Sequence, residues 1–189
     1  MTVTYVVIGI VVLVVLWGVM TYNGLISRRN KVDESWSGID VMLKRRHDLV
    51  PNLVETVKGY AAHEREVLEN VIRARTGAEG ARTSGDVDAT QQAENMLTGT
   101  LRQLFALSEA YPDLKANDNF RELQGQLAEV EDDIQASRRI YNSNVTMYNN
   151  KVQQVPSNIV AGMGNFTTRQ FFEIENPVER EVVKVSFSS

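Results

Sequence analysis

Residues 117–156 read NDNFRELQGQLAEVEDDIQASRRIYNSNVTMYNNKVQQVP. Phe120, Leu123, Leu127, Val130, Ile134, Ser137, Tyr141, Val145, Tyr148, Val152 and Val155 follow one another at steps of three or four. The opposite face is polar and includes Glu129, Glu131, Asp132 and Asp133. That period predicts a long amphipathic helix that begins at Asn117 and stops at Pro156, whose ring cannot continue it. A single stripe of this kind has to be buried against other helices.

Upstream, a second helical period runs from Val32 to about Arg75. Trp36, Leu43, Val50, Val57 and Val71 fall on sevens, with Val32, Ile39, Leu53, Tyr60 and Val67 interleaved. The seam is broken by Arg46 and Glu64. Pro51 lies inside it and predicts a kink near residues 47–51. Residues 76–87, TGAEGARTSGDV, read as a loop on their three glycines. Asp86 or Asp88 is the expected cap of the next helix, which runs to about Ser108 with Ala93, Met96, Leu97, Leu101, Leu104 and Phe105 on one side. Tyr111-Pro112-Asp113 reads as a turn.

At the N-terminus, Val3 to Tyr22 is VTYVVIGIVVLVVLWGVMTY, without a charge. Some 20 apolar residues suffice to cross a bilayer as a helix. No Lys or Arg precedes the run, and it lacks a small-residue cleavage site, so an uncleaved anchor is expected rather than a signal peptide. Arg28, Arg29 and Lys31 follow it, then Lys44, Arg45 and Arg46. This asymmetry predicts an outside N-terminus and a cytoplasmic remainder. Asn23-Gly24 is too weak a breaker to separate anchor from domain, so one continuous rod is expected. The chain thus divides into a transmembrane anchor (1–24), a helical bundle domain (25–156) and a C-terminal tail (157–189).

The tail carries Phe166, Phe171, Phe172 and Phe187, and its end alternates through Val183, Val185 and Phe187. Alternation reads as a short strand. An all-α monomer has no edge for it, so these six residues are the expected contacts of a cyclic homo-oligomer.

The 189 residues carry a net charge of −4 and no cysteine. Without a basic face interleaved with aromatics, nucleic-acid binding is not expected. His63-Glu64 begins like a zinc-protease helix, but Val67 stands where the second His is required. His47 is the only other His. Glu129, Glu131, Asp132 and Asp133 lack calcium-loop spacing and read as a solvated helix face. No phosphate loop or nucleophile elbow is present. No catalytic residue, cofactor or metal is therefore expected, and the chain is not read as an enzyme.

Tyr141-Asn142 recurs as Tyr148-Asn149, with Asn150 beside it. A polar layer that sets helix register is the simpler reading. A recognition surface is the other.

Residues 44–64, KRRHDLVPNLVETVKGYAAHE, resemble the signature block of the LemA family. Arg138-Arg139-Ile140-Tyr141-Asn142 through Tyr148-Asn149 to Pro156 is similar to that family's second block, and Phe171-Phe172-Glu173 to its short C-terminal motif. Val155 departs from the aromatic residue usual before that proline. The resemblance covers nearly the whole chain. It implies a single-pass protein of the bacterial cell membrane with an antiparallel helical bundle, no established catalytic residue, cofactor or substrate, and an occasional membrane-protein partner. Two functions follow as expectations: a membrane-anchored scaffold or adaptor that self-assembles, or a membrane-tethered sensor that binds a ligand at the Tyr/Asn layer.

Overall fold

The computed structural model describes residues 2–173. Helix α1 spans Thr2–Lys58 and carries Pro51 inside it. It passes through Asn23-Gly24 without a break, as the weak penalty of one glycine predicts. Its N-terminal part is long and apolar enough to cross a membrane, and its side chains there are exposed. The remaining helices are α2 (Arg65–Ser84), α3 (Val87–Ser108), α4 (Pro112–Ala116), α5 (Asp118–Gln153) and α6 (Ser157–Met163). The protein is all-α, and no strand occurs among the described residues. The alternating stretch through Val183, Val185 and Phe187 lies outside them.

The chain forms two compact units. The first contains residues 2–48 and 124–172. Here α1 and α5 run antiparallel: Lys31 carbonyl O faces Asn144 Nδ2 at 3.4 Å, Trp36 packs tilted against Tyr141, and Arg45 meets Glu129 at 3.4 Å. Leu25, Val32, Ile39, Leu43, Val130, Ile134 and Val145 fill the seam. Arg46 does not break it. Its side chain is buried in the heptad row and pairs with Glu131 at 3.5 Å. The acidic run is therefore more than the solvated face expected of it: Glu129 and Asp133 meet Arg45, and Glu131 closes over a buried guanidinium.

The second unit contains residues 49–123 with Glu173. The helix expected to continue to Arg75 ends at Lys58 instead. The Tyr60 and Ala61 amides both donate to Val57 O, at 3.0 and 2.8 Å. Ala61 is buried in the resulting turn, and Glu64 accepts the Tyr111 hydroxyl at 3.0 Å. The heptad marks on either side belong to two helices, and that tertiary pinning overrides the local period.

The loop expected over 76–87 is helical as far as Ser84. Alanines outweigh the glycines: Ala74 and Ala78 are buried, and Arg82 pairs with Glu79 one turn earlier at 2.8 Å. Only Gly85 turns the chain, at φ 73°, where a side chain would be strained. Asp86 then caps α3 by accepting the amides of Asp88 and Ala89 at 2.9 and 3.1 Å. The short link makes α2 and α3 a helical hairpin. Leu97, Leu101 and Leu104 line the buried face of α3 with Thr90 and Glu94, whereas Met96 is exposed. The turn at Tyr111 opens α4, with Pro112 in its first turn, and Asn117 caps α5 through the Phe120 amide at 2.9 Å.

Candidate functional site: an asparagine ladder along α5

Beyond Pro156 the chain forms α6 and then doubles back along α5. The end of α6 is a Schellman motif. Asn165 sits at φ 53°, its amide donates to Gly162 O at 3.3 Å, and the Phe166 amide donates to Ala161 O at 2.9 Å. A Cβ at Gly164 would meet the Phe166 ring at 2.5 Å, so only glycine lets the chain leave α6 this way.

Residues 166–172 form neither helix nor strand and are held by main-chain contacts. Asn149 Nδ2 donates to Arg169 O, and the Arg169 amide donates to Asn149 Oδ1, both at 2.8 Å. Asn142 repeats this with Phe172: Nδ2 to O at 3.0 Å, and amide to Oδ1 at 2.9 Å. Between them, Tyr141 Oη donates to Gln170 O at 2.9 Å. Each carboxamide thus presents one donor and one acceptor to a single residue, as a neighbouring strand would.

The spacing explains why two asparagines seven apart serve this purpose. Seven helical residues rise about 10.5 Å. Three residues of extended chain cover about 10 Å. A flat strand would turn residue 172 to the edge opposite 169, because its repeat is two. A three-residue repeat, like that of polyproline II, keeps both on one edge.

Side chains anchor the same segment. Phe166 packs edge-on to Tyr22 at 5.4 Å, under the Arg29 guanidinium. Arg169 pairs with Asp33 at 3.2 Å. Phe172 is fully buried, its ring edge-on to Trp36 at 5.2 Å. Phe171 faces solvent, 46% exposed. Of the tail residues singled out from sequence, Phe166 and Phe172 are therefore buried within their own chain, Phe171 is exposed on its surface, and Val183, Val185 and Phe187 fall outside the described residues.

Burial raises the pKa of the Tyr141 and Tyr148 phenols, with Arg169 pulling in the opposite direction. Tyr111 is raised chiefly by its hydrogen bond to Glu64. The Tyr/Asn groups do not form the register-setting layer between helices that was the simpler expectation. Tyr141, Asn142 and Asn149 bind backbone instead, and the backbone they hold is the chain's own. Asn150 is exposed and outside the ladder. Sequence reasoning missed Arg169 and Gln170 as partners. The usable signal was the repeated Tyr-Asn at a seven-residue interval. His47 is buried in α1 and His63 exposed, and no group of three metal-ligating side chains converges among the described residues.

A long apolar helix continuing into a helical domain, with a C-terminal segment clamped along α5, defines an all-α protein with a candidate N-terminal membrane span. Residues 35–187 match the LemA family, and the chain belongs to that family. It is similar to magnetosome protein MamQ 2 of Paramagnetospirillum magneticum, with 24% identity across 82% of this chain and 65% of the relative. MamQ of Magnetospirillum gryphiswaldense shares 23% over 81% and 65%. Protein LemA of Metamycoplasma hominis shares 29% over 74% and 63%. The chain thus spans just under two thirds of the length of these relatives.

Proposed function

We propose that the chain is a single-pass membrane-anchored scaffold that assembles with copies of itself, its soluble helices on the cytoplasmic side of a bacterial membrane. The observation that carries this reading is the continuity of α1: the apolar run passes without a break into the residues that pack on α5. A continuous helix of this kind ties the unit built from α1 and α5 to the bilayer and confines copies to one plane. Arg28, Arg29 and Lys31 support the cytoplasmic side. The MamQ relatives are named magnetosome proteins, which is in keeping with a role in such an assembly.

For self-assembly, the support is the exposed Phe171 beside the clamped segment, together with the alternating Val183, Val185 and Phe187 in the sequence. These form the clasp in this reading. The mass of the full chain in mild detergent tests it. A uniform multimer that shrinks when residues 177–189 are deleted is the expected result, and a monomer overturns assembly. A Thr83→Cys variant, in a chain otherwise free of cysteine, should resist impermeant thiol reagents in intact cells. Ready labelling overturns the cytoplasmic side.

A further inference from the structure

Helix α6 packs beside the anchor rather than beside the charged part of α1. Ile159, Val160, Met163 and Gly164 face Val14, Gly18 and Tyr22 across an open apolar groove of about 580 Å³. The groove is open and its α6 wall is largely uncovered: Ile159 and Met163 are 60% and 82% exposed, and Val155 just before α6 is 80% exposed. Residues 152–168 contain no charged side chain, in a chain that is 23% charged.

We propose that α6 is a second membrane contact, immersed in the leaflet next to the C-terminal end of the anchor, with lipid acyl chains filling the groove between them. The inference rests on the reading of residues 3–22 as a membrane span. If they span, α6 shares the depth of Val14–Tyr22, and its exposed residues continue the lipid-facing surface of α1. A bilayer tolerates only backbone whose polar groups are satisfied internally. Much of the segment meets that demand. Pro156 has no amide, and Asn158 and Ile159 donate to Gln154 O and Pro156 O at 2.8 and 3.2 Å. The Ser157 hydroxyl caps Lys151 O at 2.7 Å. The amides of Gly164, Asn165 and Phe166 close the other end. Trp17 and Tyr22 flank the groove, as aromatic residues do at a headgroup boundary, and Arg28 and Arg29 follow on the aqueous side.

The test is site-directed spin labelling of the full chain in phosphatidylcholine–phosphatidylglycerol nanodiscs. Single cysteines replace Ile159 or Met163, with Leu13→Cys as the reference for the span and Ala128→Cys, exposed on α5, as the reference for water. Labels at 159 and 163 should collide with oxygen several-fold more than with a water-soluble nickel chelate, as at 13, with the ratio reversed at 128. If 159 and 163 behave like 128 while 13 stays lipid-like, α6 lies outside the bilayer and the proposal fails although the anchor stands. If 13 also favours the nickel chelate, the anchor reading itself fails. Shielding of 159 and 163 from both reagents would mean that a second copy covers α6, and would overturn the lipid assignment.

Discussion

Asn142 and Phe172, thirty residues apart, exchange two hydrogen bonds as if they were paired strand residues, although one is a helix side chain. Only a carboxamide offers the required donor and acceptor together. Asn142→Ala should cost about 1–3 kcal/mol, and the more exposed Asn149→Ala about 0.5–1.5 kcal/mol. Asn142→Asp should be at least as costly as the alanine, because a carboxylate faces the Phe172 carbonyl without a proton to share. Denaturant titration gives the magnitudes. Hydrogen exchange at the Arg169 and Phe172 amides should accelerate together, since both belong to one clamped segment.

Two adjacent phenylalanines should respond in opposite ways. Phe172→Ala empties a fully buried site against Trp36 and should cost about 3–5 kcal/mol. Phe171→Ala removes an exposed ring and should stay within about 0.5 kcal/mol. Trp36 fluorescence should change for the first and not for the second.

Glu131 and Glu129 are close in sequence and unlike in environment. Glu131→Ala leaves the buried Arg46 guanidinium without one of its partners and should cost about 1–3 kcal/mol. Glu129→Ala removes one exposed contact to Arg45 and should cost under about 1 kcal/mol. Thermal melts of the two variants, at equal ionic strength, check the difference.

These contrasts show what the sequence could disclose. Periodicity marked the seam of α5 well, because Phe120, Val130, Ile134, Tyr141 and Val145 obey one local rule along one uninterrupted helix. The same rule ran past Lys58, because the turn at 59–64 is fixed by Ala61 burial and the Tyr111–Glu64 bond, which no local window contains. Composition misjudged 76–84 for a related reason: glycine content signals a loop only when no helix packs against the alanines beside it. The ladder was half visible. Its asparagine interval stood in the sequence, but the partner at 169–172 is distant in the chain and engages through main-chain atoms, which carry no residue signature.

Gly80 and Gly85 provide a test of that corrected helix. Gly80 lies in α2, with open space where a methyl group would sit, so Gly80→Ala should stabilise by about 0.5–1 kcal/mol. Gly85 sits at φ 73°, so Gly85→Ala should destabilise by about 1–2 kcal/mol. Were 76–87 a loop, the first substitution would gain nothing from helix propensity. Chemical denaturation of both variants decides between the two.

The clamp should also loosen at alkaline pH. The pKa of Tyr141 is raised first by burial and further by Asp33, with Arg169 opposing, and its hydroxyl is the donor to Gln170 O. A phenolate has no proton to donate, so the folded state favours the neutral form. A raised pKa means that this contribution is complete below the unfolded value, about 10, and is lost as pH rises through the folded value. Tyr148 acts in the same direction through its burial. Stability should therefore show no loss from these phenols between neutrality and about pH 9.5 and decline above it. Absorbance at the phenolate band should show the two phenols titrating later than free tyrosine. Tyr141→Phe should lower stability at neutral pH by about 0.5–1.5 kcal/mol, the worth of one hydrogen bond, and should flatten the alkaline decline. An unchanged decline in that variant would assign the loosening to Tyr148 or Tyr111 instead of the Tyr141 contact.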